Sequence, residues 1–466
     1  MATIRIFRHY VPLVFLMLGL FEGAILLAGF YIGVEIRFWD ADPATIAKVL
    51  PIWPKGLVFV VVVLLSMAGM GLYERRMRDG IEGVLLRTAA GFALSLVPMA
   101  VVFYLFPELY LGRGALAIAY LVGFIGVAVL RWLFLRFGSQ ETLLKRVLVL
   151  GTGNKAAMIR KLRRRSDLRG LRIVGYVRMG SDEDVVDPEV IIDLDRPLVE
   201  WVRDHEIDEI VLAVDDRRKG LPVKEILDCK MSGVDVQDLL NFFERETGKI
   251  KLDILNPSWL FFSDGFQYGP VRASLKRVLD VAVVLLMLPL ALPLMIPVGV
   301  AILAESGGRG PIFFTQMRVG QNGRPFRILK FRSMRTDAEK EGAKWATAND
   351  PRVTRVGRII RKVRLDELPQ LLNILKGDMS FVGPRPEQPA FVDQLAERIP
   401  YYNERHRVKP GLTGWAQVCY QYGDSDEDAF EKLQYDLYYV KNYSILLDML
   451  ILVQTVEVVL MGKGAH

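Results

Sequence analysis

Cysteine and histidine are scarce in this chain of 466 residues. The two cysteines, Cys229 and Cys419, lie far apart, and the four histidines, His9, His205, His406 and His466, are scattered. Neither set has the spacing of a disulfide framework, a zinc site or a histidine cluster, and a reducing compartment suits the water-facing parts. A strong charge of one sign is missing too. The net charge is +7, and the basic residues flank apolar blocks instead of forming one stripe. That pattern argues against nucleic acid as a partner and for anionic lipid heads and phosphorylated substrates. A cleavable leader is also not evident. "MATIRIFRHYVPLVFLMLGLFEGAILLAGF" starts basic, but its apolar run exceeds a signal-peptide core and no clear small-residue cleavage site follows. It reads as a retained membrane helix.

What is abundant is apolar sequence in long blocks, 52% of the chain, within a length that suits two or three domains. Residues 11–36, 56–73, 89–106 and 115–137 each approach the ~20 residues a bilayer needs, which predicts a four-helix transmembrane bundle over residues 1–140. Arg5 and Arg8 precede the first helix, Arg75, Arg76, Arg78 and Arg87 separate the second and third, and Arg131, Arg136, Lys145 and Arg146 surround the end of the fourth. Positive-inside reasoning then places the N-terminus and everything after the fourth helix in the cytoplasm. Glu22, inside the first helix, is either functional or paired with a neighbouring helix.

A fifth apolar block, residues 280–306, is long enough to span. Yet Lys276 and Arg277 precede it, Arg309 and Arg318 follow it, and it carries Pro289, Pro293 and Pro297. Each proline removes a backbone donor and kinks a helix. A re-entrant helix over about residues 278–304, breaking near Pro293 and returning to the same side, satisfies both facts. The alternative, a kinked fifth span, would carry the C-terminal domain outside.

Between these blocks, an apolar strand at residues 147–150 runs into Gly151-Thr-Gly153-Asn-Lys-Ala156 and a helical stretch, the order of a phosphate-cradling βαβ unit. "LRIVGYV", "DEIVLAV" and "GVDVQDL" read as further strands. A Rossmann-like α/β domain over residues 145–250 is expected, followed by a linker at 251–272. Gly151 and Gly153 are weak cofactor-binding candidates, because Ala156 stands at the third glycine position and no acidic residue closes the second strand. A Tyr-x-x-x-Lys pair is missing as well, and a structural or regulatory role is the favoured reading.

From residue 309 the chain turns dense in arginine, glycine and proline, as binding a polyanion requires. In "KVRLDELPQLLNI", Asp366 and Glu367 precede Pro369, which suits the first turn of a helix whose dipole favours ionised carboxylates. An ionised aspartate can attack phosphorus and its neighbour can hold Mg²⁺; a plain helix cap is the competing reading. Other acid runs, at residues 182–184, 215–216 and 426–428, read as solvated surface. In "VGPRPEQP", Pro384 and Pro386 fix φ on either side of Arg385 and present its guanidinium rigidly to a phosphate or a flat base. In "ILKFRSM", Lys330 and Arg332 alternate along a strand and share a face.

"KRVLDVAVVLL", "GPIFFTQMRVGQNGRPFRILKFRSM", "RVGRIIRKVRLDELPQLLNILKGDMSFVGPRP" and "RHRVKPGLTGWAQV" follow one another in the order of the bacterial sugar transferase family, the monotopic phosphoglycosyl transferases. The resemblance covers about residues 274–462. The membrane and α/β prelude resembles the long subgroup of undecaprenyl-phosphate glucose and galactose phosphotransferases of exopolysaccharide, capsule or O-antigen assembly. It implies a catalytic domain at residues 273–466 in the bacterial inner membrane, a re-entrant helix, Mg²⁺ and a two-step covalent reaction. Asp366 would attack the β-phosphate of a UDP-sugar, release UMP and pass the phosphosugar to undecaprenyl phosphate. Asp366 and Glu367 would hold Mg²⁺, with Glu367 also managing the proton. Arg361 matches the family arginine near the phosphates, and Pro384-Arg385-Pro386 matches the nucleotide-side motif. Pro293 matches the helix break, with Leu292 where smaller members often have serine. The subgroup makes a homodimer a candidate assembly, and the tail at residues 435–464 reads as an interfacial helix on the domain or membrane surface. Two rival readings are a membrane-anchored NAD-dependent nucleotide-sugar dehydratase or epimerase, and a non-catalytic membrane scaffold.

Overall fold

Four apolar helices follow a short antiparallel ribbon (β1 Thr3–Ile6, β2 His9–Pro12): α1 Leu13–Phe38, α2 Ile52–Gly69, α3 Ile81–Leu105 and α4 Arg113–Phe137. The computed structural model describes residues 3–6, 9–42, 50–73, 81–137, 144–160, 171–179, 183–216, 221–266, 269–308, 310–338, 350–420 and 425–460. Arg8, Arg75, Arg76, Arg78 and Arg309, on which the expected orientation partly rests, lie outside them. The chain divides into two units, Met1–Thr247 and Gly248–His466.

In the first unit, α1 and α4 approach so closely that side chains would obstruct them. A Cβ on Gly33 would stand 2.8 Å from the carbonyl oxygen of Ala115 and the amide nitrogen of Ala119, and one on Gly29 would stand 3.1 Å from the amide nitrogen of Gly123. Four-residue spacing of small side chains on both helices makes this contact, as expected where lipid supplies no hydrophobic drive between helices. Glu22 is fully buried in it. Its carboxylate pairs with Arg131 of α4 at 2.6 Å and accepts from the Tyr73 hydroxyl, while Arg131 also donates to the Leu72 carbonyl at 3.3 Å. Of the two sequence readings of Glu22, the partner is the one observed.

Strands β3 Lys145–Leu150, β4 Leu171–Val177, β5 Ile191–Ile192, β6 Glu209–Leu212 and β7 Asp235–Asp238 form a parallel sheet in the order β5-β4-β3-β6-β7. Its helices are α5 Asn154–Arg160, α6 Leu198–Asp204, α7 Val223–Met231 and α8 Leu239–Thr247. The strand order reverses between β3 and β6, where sheets of this kind gather ligands. Here the anion facing α5 is the protein's own. Asp215 accepts from the amides of Asn154 at 2.8 Å and Lys155 at 2.9 Å, and the Lys155 ammonium donates to the Val214 and Asp215 carbonyls. Gly151, at φ 125°, and Gly153 allow the approach, since a Cβ on Gly153 would stand 2.3 Å from the Asp215 carboxylate. Asp215 is therefore a structural anion, not the solvated charge the sequence suggested.

In the second unit, the stretch expected as a linker is bonded to its surroundings. The Trp415 indole donates to the Gly248 carbonyl at 2.7 Å, the Ile250 amide to Gln434 at 3.0 Å and the Phe266 amide to Lys441 at 3.1 Å. After α9 Pro257–Phe262 comes α10 Pro270–Glu305, one uninterrupted helix of 36 residues. No break marks Pro293. The three prolines are four residues apart, so the lost hydrogen bonds fall along one stripe instead of at one point. Near the start of α10, Lys276 pairs with Asp448 at 2.7 Å, Arg277 donates to the Ile374 and Leu375 carbonyls, and Asp280 accepts from Ser380 and Phe381 at 2.9 Å. At its end, Glu305 accepts from the Arg355 amide at 2.7 Å. Between these anchors Val284 and Ala291 are buried in the unit's core, whereas Leu285, Leu286, Leu290, Ile296 and Val300 are exposed.

The hairpin β8 Phe313–Val319 and β9 Pro325–Phe331 turns at Asn322 and Gly323, both at positive φ, the asparagine-glycine signal of a tight hairpin. Then come α11 Arg355–Lys362, α12 Gln370–Lys376, β10 Ser380–Val382, α13 Pro389–Arg398, β11 Gly411–Thr413 (parallel to β10), α14 Trp415–Cys419, α15 Asp426–Asn442 and α16 Ile445–Leu460. The acids at 426–428 start α15, where Ser425 and Asp428 form a reciprocal capping box. Leu447 and Ile451 of α16 enter the core, and its Asp448 is buried against Lys276 and Tyr439, so this helix packs on the domain.

Gly33→Leu forces α1 off α4 and lowers the thermal unfolding midpoint of the purified protein in detergent, by a destabilisation of about 1–3 kcal/mol or more. Gly19→Ala in the same helix, whose nearest neighbour stands 3.6 Å away, leaves the midpoint unchanged.

Candidate active site

The chain leaves α11 at Lys362, takes a left-handed step at Arg364 (φ 59°) and coils into a 3₁₀ turn over Leu365–Glu367. Pro369 then caps α12 from outside. Asp366 and Glu367 thus stand just ahead of the helix, as the sequence suggested, in a separate 3₁₀ turn, and cations take over the role expected of the dipole. Glu367 lies 3.5 Å from the Arg385 guanidinium, 3.6 Å from the Lys330 ammonium and 3.7 Å from the Arg364 guanidinium. Burial alone would raise the Glu367 carboxyl, but Lys330, Arg385 and Arg364 outweigh it and hold it at about 2. Asp366 is 8% exposed. Burial and the adjacent Glu367 charge push its carboxyl above the usual range, against the pull of Lys330, Arg361 and Arg364. Burial pushes the Lys330 ammonium down, against Glu367.

Long-range contacts set these distances. The Asn373 amide is buried between α12 and β9, where it accepts from the Leu329 amide at 2.9 Å and donates to the Arg327 carbonyl at 2.8 Å. It replaces a strand neighbour and holds Lys330 opposite the acid turn. The Pro-Arg-Pro loop is fixed by more than its prolines. Four successive carbonyls each accept a bond: Pro384 from the Gly411 amide at 2.9 Å, Arg385 from Arg405 at 3.1 Å, Pro386 from Arg318 at 3.1 Å and Glu387 from the Val319 amide at 2.9 Å. Gly411 must be glycine for this, since a Cβ there would stand 2.1 Å from the Gly383 amide nitrogen. Arg405 is itself buried and paired with buried Asp436 at 2.7 Å.

Of the residues singled out by sequence, Lys330, Asp366, Glu367 and Arg385 meet at one place, with Arg361 within electrostatic reach of Asp366. Arg332 does not join them. It lies just past β9, buried, with its guanidinium 3.5 Å from the Ile302 carbonyl in the last turn of α10 and against Gly310. The strand ends at Phe331, so the alternation that placed Arg332 beside Lys330 stops one residue too early. Pro293 is in α10, and Gly151 and Gly153 belong to the parallel sheet of the other unit. Arg318, Asn373, Arg405 and Asp436 were missed. No local pattern marks them, because each acts through a partner distant in sequence.

Arg318, Lys330, Glu367, Gln370 and Arg385, with apolar walls from Ile328, Pro386 and Leu412, line an open cleft of about 250 Å³. Three cations against one carboxylate leave net positive charge for a phosphorylated ligand. Among the described residues no three His, Cys, Asp or Glu side chains gather as a metal cage. The acid pair does offer the one or two hard oxygen ligands through which Mg²⁺ is usually held together with substrate phosphates.

Residues 271–462 match the family model described as bacterial sugar transferase. The chain is also 32% identical over 373 residues to the UDP-glucose:undecaprenyl-phosphate glucose-1-phosphate transferase of Xanthomonas campestris pv. campestris, an alignment covering 76% of this chain and 75% of that protein. The chain belongs to the bacterial sugar transferase family. Within that family it is 43% identical over 274 residues to the UDP-N-acetylgalactosamine-undecaprenyl-phosphate N-acetylgalactosaminephosphotransferase of Aeromonas hydrophila, covering 59% of this chain and 63% of the relative. It is 40% identical over 198 residues to the UDP-glucose:undecaprenyl-phosphate glucose-1-phosphate transferase of Escherichia coli K12, covering 42% of each. These last two alignments take in less than two thirds of the relatives' lengths.

Arg405→Met strands the Asp436 carboxylate and costs about 3–5 kcal/mol of stability, most of it recovered in the double variant Arg405→Met/Asp436→Leu, as read by thermal unfolding. His406 supplies a pH test. Burial and then Arg405 push its imidazole from 6.5 down to about 3, so it is neutral in the fold. Its contribution is complete above pH 6.5 and is lost as pH falls from there toward 3, reaching about 2 kcal/mol at pH 5. The stability gap between the wild type and His406→Gln shifts by that amount, in favour of the variant, between pH 7.5 and 5.

Proposed function

We propose that this protein transfers a hexose-1-phosphate from a UDP-sugar to undecaprenyl phosphate, releasing UMP, and so starts assembly of a bacterial exopolysaccharide, capsule or O-antigen. The observation that carries the reading is the buried Asp366 beside an acid held ionised by Lys330, Arg364 and Arg385, at a cationic cleft. In the first step an Asp366 carboxylate oxygen attacks the β-phosphorus, the bond to the bridging oxygen breaks, and UMP leaves with that electron pair. In the second, a phosphate oxygen of the lipid attacks the same phosphorus, the bond to Asp366 breaks, and the carboxylate is restored as the sugar-diphospholipid departs. Lys330, Arg361, Arg364 and Arg385 lower the cost of bringing a carboxylate to the diphosphate dianion of a UDP-sugar. Asp366 and Glu367 would hold Mg²⁺, which when bound supplies charge neutralisation on the phosphates.

The acceptor is confined to the headgroup plane, and α10 is suited to bring the site there. Both ends of this apolar helix are fastened to one domain and several of its apolar side chains are exposed, which supports a helix lying along the membrane surface with that domain on the cytoplasmic side. Relatives are named for glucose and for N-acetylgalactosamine, so the sugar range extends beyond the glucose or galactose suggested by subgroup resemblance. A dehydratase or epimerase is disfavoured by Asp215, which faces the amides where a pyrophosphate would lie.

In membranes containing undecaprenyl phosphate, a panel of UDP-sugars yields Mg²⁺-dependent UMP release, and Asp366→Asn lowers it by more than about a thousandfold. Full activity in that variant would sink the covalent mechanism, and NAD⁺-dependent turnover without UMP would favour the rival enzyme.

A further inference from the structure

Two cations from distant parts of the chain meet at the end of α12 that lies away from the acid turn. Gly377 closes this helix at φ 95° and carries no side chain. A Cβ placed on it would stand 3.6 Å from the Lys409 ammonium and 3.9 Å from the Arg277 guanidinium, so the two flank one small space. A cation at a helix C-terminus is ordinary, because it complements the dipole. Arg277 fills that role, donating to the Ile374 and Leu375 carbonyls. Lys409 does not share it. Half-buried, it brings a second positive charge to a place where the first already satisfies the helix end.

The neighbouring charges are engaged elsewhere. Lys276 pairs with Asp448 at 2.7 Å, Lys376 pairs with Asp378 at 3.1 Å, and Asp280 accepts from Ser380 and the Phe381 amide at 2.9 Å. Burial and then Arg277 push the Lys409 ammonium below its usual range, against Asp280 and Asp378. An anion in the space over Gly377 would relieve both cations. The surroundings select its source. Val271, Leu275, Val278 and Leu285 are exposed and recur at helical spacing, which makes one apolar stripe along α10. Arg277 stands at the flank of that stripe, and Leu372 of α12 is exposed as well. When an apolar helix lies along a membrane, its flanks are at headgroup level, and basic pockets there suit anionic headgroups. A soluble phosphate has no use for the apolar frame. Neither cation lines the cleft, and the seven residues of α12, ~10 Å at the rise of an α-helix, separate this place from the acid turn.

We propose that Arg277 and Lys409 bind the phosphate of an anionic phospholipid headgroup beside α10, at a site separate from the cleft. The test is thermal unfolding of the full-length protein in micelles of detergent and phosphatidylcholine, titrated with phosphatidylglycerol. The wild-type midpoint rises with the anionic lipid, as binding to the folded state requires. In Lys409→Gln the apparent affinity behind that rise falls about fivefold, the worth of one cation near an anionic surface. Lys409→Arg keeps the charge and the response. Lys224→Gln, which removes an exposed lysine of α7 in the other unit, keeps the response too. A wild type indifferent to phosphatidylglycerol would overturn the assignment. So would a full response in Lys409→Gln, or an equal loss in Lys224→Gln, whatever either substitution does to the midpoint in phosphatidylcholine alone. A rise produced by inorganic phosphate without the lipid, and lost in Lys409→Gln, would make this a site for a soluble anion and overturn it as well.

Discussion

The Glu367 carboxylate stands among Lys330 of β9, Arg364 of the acid turn and Arg385 of the Pro-Arg-Pro loop, three cations delivered by separate pieces of the chain. Like charges at this spacing repel, and a shared carboxylate is what lets them be packed together. It also leaves them in excess, so that a phosphorylated ligand meets net positive charge instead of a neutralised cluster. Asp366, next in the chain, inherits the setting. Burial and its acidic neighbour push its carboxyl above the usual range, while Lys330, Arg361 and Arg364 pull the other way.

Holding this arrangement is the work of buried bonds around it. Asn373 ties α12 to β9, and Arg405, anchored on Asp436, ties the Arg385 carbonyl to the C-terminal helices. Arg277, Asp280 and Lys276 fasten the start of α10 to the same body, and Glu305 fastens its end. The long apolar helix is therefore part of the framework of the site. The proposed reaction would ask for this, because it joins a water-soluble substrate to one fixed at a lipid surface.

Several features were legible in the residues. Apolar blocks near bilayer length gave the bundle. Strand-glycine-helix order gave the parallel sheet, and the ordered motifs of the last 190 or so residues gave the family. Errors arose where a local rule met a distant partner. Alternation put Arg332 beside Lys330, but the strand ends and Arg332 turns to the Ile302 carbonyl of α10. Asp215 looked like solvated charge, but its partners lie 60 and 61 residues away. Pro369 marked the start of the helix after the acids, but nothing local marked the left-handed step at Arg364 that puts them in a turn of their own.

By itself the sequence determined which segments are apolar enough for lipid, where turns must fall, and which charged residues are candidates for phosphate chemistry, because these follow from composition and short spacing. The tertiary structure decided which charges meet. Lys330, Glu367 and Arg385 converge only because a buried asparagine and a buried ion pair join segments 44 and 31 residues apart. Such bonds gain their strength from exclusion of water, which no stretch of sequence shows until the chain has folded around it.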